Sequence, residues 1–324
     1  MDVNINASEK NQEDLFQFID RDEIASEKIT APRYSYWRSV FRVFFRKKSS
    51  IFMIVLLVLV LLGAFVLPIV WPYDMMENVL DPKTYNLSPA KAIAYFGGEN
   101  PIKWCLGTGQ LGNSIMYGIW ASARTSLLLA IICAAINMTV GIIIGAIWGY
   151  SKRFDAVMLV IYNIIANVPE ILLLSVLVYI IGSGFWPFVF ALTITGWLGI
   201  AYFFRTQVMI IRDREYSLAS RCLGTPISRM ISKNILPFLT SVIVTLLATN
   251  LPGYINYEVF LSFIGIGLSA SVPSLGRMIQ QGQTAFLTYP WAFWPPVVIA
   301  SIITIVLYLL GQNLADASDP RTHM

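Results

Sequence analysis

Long apolar runs alternate with shorter polar segments along the chain after residue 50. The first run, IFMIVLLVLVLLGAFVLPIVW at 51–71, matches the roughly 20 residues that a helix needs to cross a hydrocarbon core about 30 Å thick. It is too long and too far from the N-terminus for a cleavable signal peptide. The pattern therefore predicts an all-α integral membrane protein with six transmembrane helices, the other five at about 125–149, 156–181, 186–205, 236–264 and 293–315.

Basic residues are concentrated on one side of these predicted helices. They cluster before the first helix, between the second and third, and between the fourth and fifth. The intervening segments are poor in charge, since 182–187 has none and 266–291 has only Arg277. Cytoplasmic loops carry the Lys and Arg excess of membrane proteins. Both termini are therefore predicted to be cytoplasmic.

The same pattern divides the chain into a polar cytoplasmic segment, residues 1–49, and a transmembrane domain, residues 50–324. Within that domain, residues 72–123 form the longest external segment. Turn-forming stretches punctuate it, which favours a small elaboration over a separate domain. Residues 206–235 form the longest cytoplasmic loop.

Composition supports a membrane protein and excludes several other classes. The chain is 56% hydrophobic and 13% charged, whereas soluble domains carry about a quarter charged residues. The three cysteines have no paired or metal-ligand spacing, and the single histidine is His323. No G-x-x-x-x-G-K-[ST] phosphate loop or hydrolase motif occurs. We expect no bound cofactor, no metal, no enzymatic site and no nucleic-acid partner.

Glycines in the second predicted helix indicate close helix packing. Gly141, Gly145 and Gly149 form two overlapping small-xxx-small repeats on one helical face. Small residues let another helix approach closely in lipid, where packing drives association. The alternative is a chance spacing in a Gly-rich chain.

Polar residues enter the third predicted helix on one face. Asn163, Asn167 and Glu170 are spaced four and three apart, and Pro169 frees a backbone carbonyl in the preceding turn. An ionisable residue at this depth is costly and indicates a functional site by default. The face is a candidate translocation pathway, and the alternative is a carboxyl held by structural hydrogen bonds or protonated.

The fifth predicted helix carries a second polar face. Thr245, Thr249 and Asn256 lie near one side of it, and Glu258 follows near the outer end. The Pro252-Gly253 pair predicts a kink or an unwound turn facing protein or water. For Glu258 a channel-facing and an interfacial position are both open.

The loop REYSLASRCLGTPISRMISKNILPF, residues 214–238, is too polar to cross the membrane. Tyr216 to Leu223 read as a short helix, which Gly224 and Pro226 end. Such a helix, held between two membrane helices, is suited to docking another protein. The alternative is a helix on the membrane surface with its arginines at lipid phosphates.

This loop resembles the cytoplasmic coupling loop of the permease subunits of ABC importers, E-A-A-x3-G-x9-I-x-L-P. Aligned on Gly224 and Pro237, Ala219 fills the first Ala position and Leu236 the Leu position. The chain departs from the pattern where Leu218 replaces the Glu, Ser220 the second Ala and Asn234 the first Ile; Glu215 and Tyr216 lie one turn earlier.

Three other stretches resemble the dipeptide/oligopeptide group of these permeases. They are GTGQLGNSIMYGIWASARTSLLLA at 107–130, EVFLSFIGIGLSASVPSLGRMI at 258–279 and LLGQNLADASDPRTH at 309–323. Four motifs in the same order make the resemblance specific. The polar N-terminus and the ending are most similar to the C subunit of oligopeptide permeases from Gram-positive bacteria.

The resemblance implies a type I ABC importer permease in a bacterial cell membrane. It implies a homologous B-type permease subunit, two ATPase subunits that use ATP, an extracellular peptide-binding lipoprotein, surrounding membrane lipid and a peptide substrate. Dipeptides or nickel are alternative cargoes within the group. The competing classes are a proton-coupled secondary transporter that uses Glu170 or Glu258 as a proton relay, and a membrane scaffold or sensor.

Overall fold

The computed structural model describes residues 36–96 and 100–318. Most of the predicted N-terminal cytoplasmic segment and the last six residues, which include most of the ASDPRTH ending, lie outside the described residues. The chain divides into two units, Met1–Ser39 and Val40–Met324. The account below concerns the second unit.

The described part of the second unit consists of helices joined by turns and loops, and its only β pairing is an isolated bridge between Thr108 and Ser114. Within the described residues, five spans are long and apolar enough to cross a membrane, and the number is six if a bent helix pair is counted as one broken span. The prediction of an all-α integral membrane protein is therefore confirmed. The membrane helices are α2 and α3 (Lys48–Phe65, Leu67–Val70), α6 (Ile115–Tyr150), α7 and α8 (Lys152–Ala166, Glu170–Ile181), α9 (Phe185–Arg212), α12 (Thr240–Phe263) and α14 (Pro290–Ser318).

Short helices connect these spans. They are α1 (Tyr36–Arg46), α4 (Pro89–Tyr95), α5 (Pro101–Trp104), α10 (Glu215–Cys222), α11 (Ile227–Arg229) and α13 (Leu275–Gln283). Between α11 and α12, one π-helical segment, Met230–Ile235, and one 3-10 segment, Leu236–Leu239, continue the helical path. The chain that leads into α12 therefore has π and 3-10 hydrogen-bond patterns, whereas α12 itself is a regular α-helix.

The third predicted span is broken in the structure. Sequence patterns predict one helix over 156–181, but α7 and α8 meet at an angle of 86°. Pro169 ends the regular path because it has no N–H to donate and disfavours a helical residue before it. Asn167 consequently caps the end of α7, and Glu170 is the first residue of α8.

The fifth predicted span shows the opposite outcome. Helix α12 runs without a break through Pro252 and Gly253, so the structure has no unwound turn there, and the kink that was the other expectation stays a prediction. A proline frees the carbonyl four residues earlier, here that of Ala248. Gly311 of α14 lies so close that a Cβ on it would be 2.6 Å from this oxygen. A tightly packed neighbouring helix thus covers the freed carbonyl.

The glycine stripe of α6 packs against α9, as predicted. A Cβ on Gly145 would lie 2.5 Å from the carbonyl oxygen of Ala201, and one on Gly149 the same distance from that of Arg205. A Cβ on Gly141 would lie 2.7 Å from the Ile200 side chain. The three glycines therefore set the distance between the two helices.

Contacts between the connecting segments show which of them lie at the same end of the membrane helices. At one end Gln110 Nε2 donates to the Gln281 carbonyl at 2.6 Å, and the Ser269 N–H to the Ser183 carbonyl at 2.6 Å. At the other end Lys47 pairs with Asp316 at 2.9 Å. These pairs agree with the predicted grouping of loops. Which end is cytoplasmic stays a prediction.

Helix α6 begins at Ile115 and has 36 residues, about 54 Å at 1.5 Å per residue. It starts earlier than the predicted span and takes the end of the predicted external segment into its first turns. In the remainder of that segment, buried Thr108 accepts from the Leu87 N–H at 2.8 Å and donates to the Thr84 carbonyl at 2.6 Å. The GTG stretch therefore holds the segment together.

Candidate functional site: the coupling segment and a membrane cavity

The loop between α9 and α12 contains the predicted short helix. Helix α10 spans Glu215–Cys222, and Gly224 follows with a φ of +75°. The Gly224 N–H donates to the Arg221 carbonyl at 2.9 Å, and the Thr225 N–H to the Ser220 carbonyl at 3.2 Å. This pair of bonds is a Schellman motif, which glycine favours because it adopts a left-handed conformation without a Cβ penalty. The helix end is therefore fixed by Gly224.

Two residues that differ from the family pattern, Ser220 and Asn234, are hydrogen-bonded to each other in this loop. Asn234 Nδ2 donates to Ser220 Oγ at 3.1 Å, and Ser220 Oγ lies 3.0 Å from Thr225 Oγ1. Where the pattern has an alanine and an isoleucine, this chain has a hydrogen-bonded pair. The pair connects α10 to the π-helical segment that leads into the membrane.

The base of the loop is anchored on α6. Arg212 donates to the Gly149 carbonyl at 2.9 Å and makes two bonds, of 2.9 and 3.0 Å, with the carboxylate of Asp213. This hydrogen-bonded guanidinium holds the pKa of Asp213 below its usual value. On α10, buried Ser217 donates to the Ile211 carbonyl at 2.8 Å. One side of α10 therefore faces the membrane helices.

The other side of α10 is open. Leu223 is 86% exposed, and Tyr216 and Leu218 are about half exposed. Tyr216 packs beside Phe238, the residue after Pro237, with ring centroids 5.5 Å apart. An apolar surface on an otherwise polar loop is typical of a protein docking site. The surface, which we call the coupling surface, consists of Glu215, Tyr216, Leu218, Ala219, Leu223, Gly224 and Pro237, all exposed.

A cavity lies at the α7–α8 break and is called the bend cavity below. Its volume is about 610 Å³. Helices α7, α8, α9 and α12 line it, and the sequence-predicted residues among its walls are Asn167, Glu170 and Thr249. The two polar faces predicted from separate spans therefore meet here.

The remaining pathway candidates lie elsewhere. Asn163 does not line the bend cavity, although its carbonyl accepts a 2.5 Å bond from Asn167 Nδ2. Thr245 lines a separate cavity of about 370 Å³, and Asn256 lines another of about 300 Å³. Thr249, Thr245 and Asn256, which form the polar face predicted for α12, therefore line three separate cavities.

Glu258 occupies neither of its predicted positions, because it is completely buried. Its carboxylate accepts bonds from Ser126 at 2.7 Å and from Ser262 at 3.0 Å. Ser126 in turn accepts the Leu275 N–H of α13 at 3.2 Å. Two of the family-like stretches, 107–130 and 258–279, are therefore joined by this carboxylate, which holds α13 against α6 and α12.

Removing the buried carboxylate should destabilise the fold. We expect Glu258→Ala to cost about 2 kcal/mol or more, because it strands the hydroxyls of Ser126 and Ser262 without an acceptor. Thermal unfolding of the purified chain in detergent measures this loss. Glu215→Ala makes the same chemical change at an exposed position and should leave the midpoint unchanged; equal midpoints for both variants would refute the role.

Ser220 and Asn234 should stabilise the loop as a coupled pair. Ser220→Ala and Asn234→Ile each restore one residue of the family pattern. Each should lower the free energy of opening of the loop by about 1 kcal/mol, which corresponds to roughly fivefold faster amide exchange. The double variant should be no worse than either single one, since the same bond is lost. Additive effects in hydrogen exchange over 215–235 would argue against a coupled pair.

Three polar residues of α12 that also line the bend cavity were not predicted from the sequence: Asn250, Tyr254 and Tyr257. Their spacing of four and three repeats that of Asn163, Asn167 and Glu170, so the same helical periodicity identifies both walls. Tyr254 also receives a 2.9 Å bond from buried Asn137 of α6. Tyrosine gives a weak signal because it is common in apolar membrane helices.

Comparisons with known proteins place the chain in a family. Residues 139–324 match the family described as binding-protein-dependent transport system inner membrane component, and residues 35–89 match the N-terminal TM domain of oligopeptide transport permease C. The chain is 45% identical to the oligopeptide transport system permease protein AmiD of Streptococcus pneumoniae, over 95% of this chain and 97% of the relative.

Two relatives from Bacillus subtilis extend the comparison. The oligopeptide transport system permease protein OppC is 31% identical over 91% of this chain and 93% of its own length. The dipeptide transport system permease protein DppC is 30% identical over 91% of this chain and 89% of its own length. With its membrane helices and these matches, the chain belongs to the family of inner membrane components of binding-protein-dependent transport systems.

Proposed function

We propose that this chain is one of two membrane subunits of an ATP-driven importer that moves oligopeptides across the cell membrane. The similarity to an oligopeptide transport system permease over nearly the full length of both chains carries this proposal. The coupling surface supports it, because a chain without a phosphate loop must receive the energy of ATP from another protein.

The second membrane subunit is a homologous B-type permease. Asn163, Asn167, Glu170 and Thr249 are exposed on the isolated chain although they belong to membrane-spanning segments. A charged residue facing lipid at this depth costs about 3 kcal/mol on insertion scales. A partner subunit, or water enclosed between two subunits, removes that cost. The exposed polar face thus fits the wall of a shared pathway.

Two ATPase subunits drive the cycle through the coupling surface. When they close on ATP, they carry α10 with them. Through the Schellman turn and the anchor of Arg212 on Gly149, that movement passes to α9, α6 and α12. The membrane helices then rock between inward-open and outward-open states. Such coupling requires that ATPase and substrate each bind the two states differently.

The remaining partners are lipid and an extracellular peptide-binding lipoprotein. Phe41 and Phe45 of α1 are exposed, and Arg42 and Arg46 follow them at the same four-residue spacing. An aromatic stripe beside a basic stripe suits the interface of an anionic membrane. The lipoprotein would deliver peptide at the end formed by 72–114 and 265–289.

Peptide uptake by living cells tests the proposal. A labelled oligopeptide is supplied to cells that lack the chain and to complemented cells, with ATP maintained and the proton gradient collapsed. Uptake that needs the chain and survives the collapse supports ATP-driven peptide import. Uptake that vanishes with the gradient supports the proton-coupled alternative. Chain-dependent uptake of a dipeptide or nickel but not of longer peptides reassigns the cargo.

A further inference from the structure

Three polar side chains on the walls of the bend cavity, Asn167, Thr249 and Asn250, offer acceptor oxygens to a ligand. The amide nitrogen of Asn167 donates to the Asn163 carbonyl, and that of Asn250 to the Leu246 carbonyl at 2.8 Å. The hydroxyl of Thr249 donates to the Thr245 carbonyl at 3.0 Å. Each of these groups uses a hydrogen on its own helix and keeps its oxygen for another donor, while each of the two amides retains a second N–H. The cavity can therefore accept hydrogen bonds from the N–H groups of a ligand.

The cavity also contains a carboxyl group. Glu170 is the only acidic or basic side chain among the described residues that line it. Its Oε2 accepts the Tyr257 hydroxyl at 2.7 Å, which orients the carboxylate from the opposite wall. It belongs to the first turn of α8, where the helix dipole favours a negative charge. The ligand should therefore be a cation as well as a donor.

Resting on the proposed function, we infer that the bend cavity binds the α-ammonium group of the transported peptide. An ammonium offers three N–H donors and a positive charge, which match the acceptor oxygens and Glu170. Every unblocked peptide carries this group whatever its side chains. A site for the α-ammonium group explains how the cavity can bind many peptides without distinguishing their sequences.

The apolar remainder of the cavity fits the same assignment. Its walls combine leucine and isoleucine side chains with glycines: Leu173, Leu174, Leu192, Ile200, Gly196, Gly199 and Gly253. A Cβ added to Gly199 or to Gly253 would meet no atom of the described chain within 4 Å. A volume of about 610 Å³ lies within the range of ordinary small-ligand sites. Space beyond the ammonium is therefore left for side chains of different size.

A thiol-protection assay on the whole importer tests this inference without depending on turnover. Gly199→Cys places a thiol in the cavity, and the exposed cysteines Cys105 and Cys222 are changed to serine. Thr195→Cys serves as a second reporter. The purified importer in nanodiscs is labelled with a maleimide in the presence of trialanine or N-acetyl-trialanine. We expect trialanine to protect at about tenfold lower concentration, since a charge-assisted hydrogen bond is lost on acetylation.

Glu170→Gln is the decisive variant, because glutamine still accepts the Tyr257 hydroxyl but carries no charge. The preference for trialanine should shrink to about twofold or less in it. Tyr257→Phe removes the orienting hydroxyl and keeps the charge, so the preference should persist. An unchanged preference in Glu170→Gln, equal protection by both peptides, or no protection by either overturns the inference. Peptide uptake in cells decides the proposed function separately, so the two failures are distinguishable.

Discussion

Gly224→Pro is expected to abolish peptide uptake, to about a tenth of the wild-type rate or less, while the chain remains in the membrane. Proline locks φ near −65°, whereas Gly224 has a φ of +75°. It also lacks the N–H that bonds to the Arg221 carbonyl. The Schellman turn cannot form, so α10 loses its fixed direction relative to the π-helical segment. Uptake of labelled peptide and the amount of chain in isolated membranes are measured together.

Gly224→Asn is the matched control for this prediction. Asparagine tolerates the left-handed conformation better than other non-glycine residues and retains its N–H. It should keep most of the uptake. If the proline variant transports as well as wild type, α10 does not transmit the ATPase movement. If both variants fail equally, a side chain at this position, rather than the turn, is the cause.

Gly145→Leu is expected to have the second large effect, on assembly of the fold. A Cβ alone would lie 2.5 Å from the Ala201 carbonyl oxygen and 2.6 Å from the Phe204 Cβ, so α6 and α9 must separate. Overpacking of this kind typically costs about 1–3 kcal/mol, and a leucine at a backbone contact belongs at the upper end. We expect a several-fold lower amount of folded chain in membranes, measured by immunoblot and by resistance to protease.

A neighbouring glycine supplies the control. Gly199 lies on α9, but the described chain leaves the space around its Cβ position open. Gly199→Ala should therefore leave the amount of folded chain unchanged. Normal levels of the Gly145→Leu chain would mean that the glycine stripe does not set the α6–α9 distance.

Much of the fold could be predicted because membrane spans and helix packing leave local signals. Apolar runs locate every span, and the four-residue glycine spacing identifies the face of α6 that packs on α9. Gly224 and Pro226 likewise mark the end of α10. These features depend on composition and on neighbours within one helical turn, which are visible in the sequence.

Other features depend on contacts between distant segments. Pro169 breaks the α7–α8 path, whereas Pro252 leaves α12 continuous, and local sequence does not distinguish the two cases. Gly311 of α14 packs against the carbonyl that Pro252 frees, a contact between segments far apart in the chain. The burial of Glu258 has no local signal, because its partner Ser126 is far away in sequence. Such pairings are fixed by tertiary packing alone.

The candidate site depends both on local sequence signals and on contacts between distant segments. The spacing of Asn163, Asn167 and Glu170 points to a polar helical face, of which only Asn167 and Glu170 reach the bend cavity. Tyr257 escapes detection because its role depends on a partner 87 positions away. A polar spacing therefore predicts which face of a helix matters, and the fold decides which residues of that face meet.

ATP-driven accumulation of peptide in proteoliposomes tests whether this chain forms part of an ATP-driven peptide importer. The importer is reconstituted with this chain, with its Gly224→Pro variant, or without the chain, and radiolabelled peptide is supplied on the side of the binding protein with no ion gradient. We predict accumulation against the peptide gradient only with the wild-type chain and only when ATP is present on the ATPase side. Equal accumulation without the chain or without ATP would contradict the account.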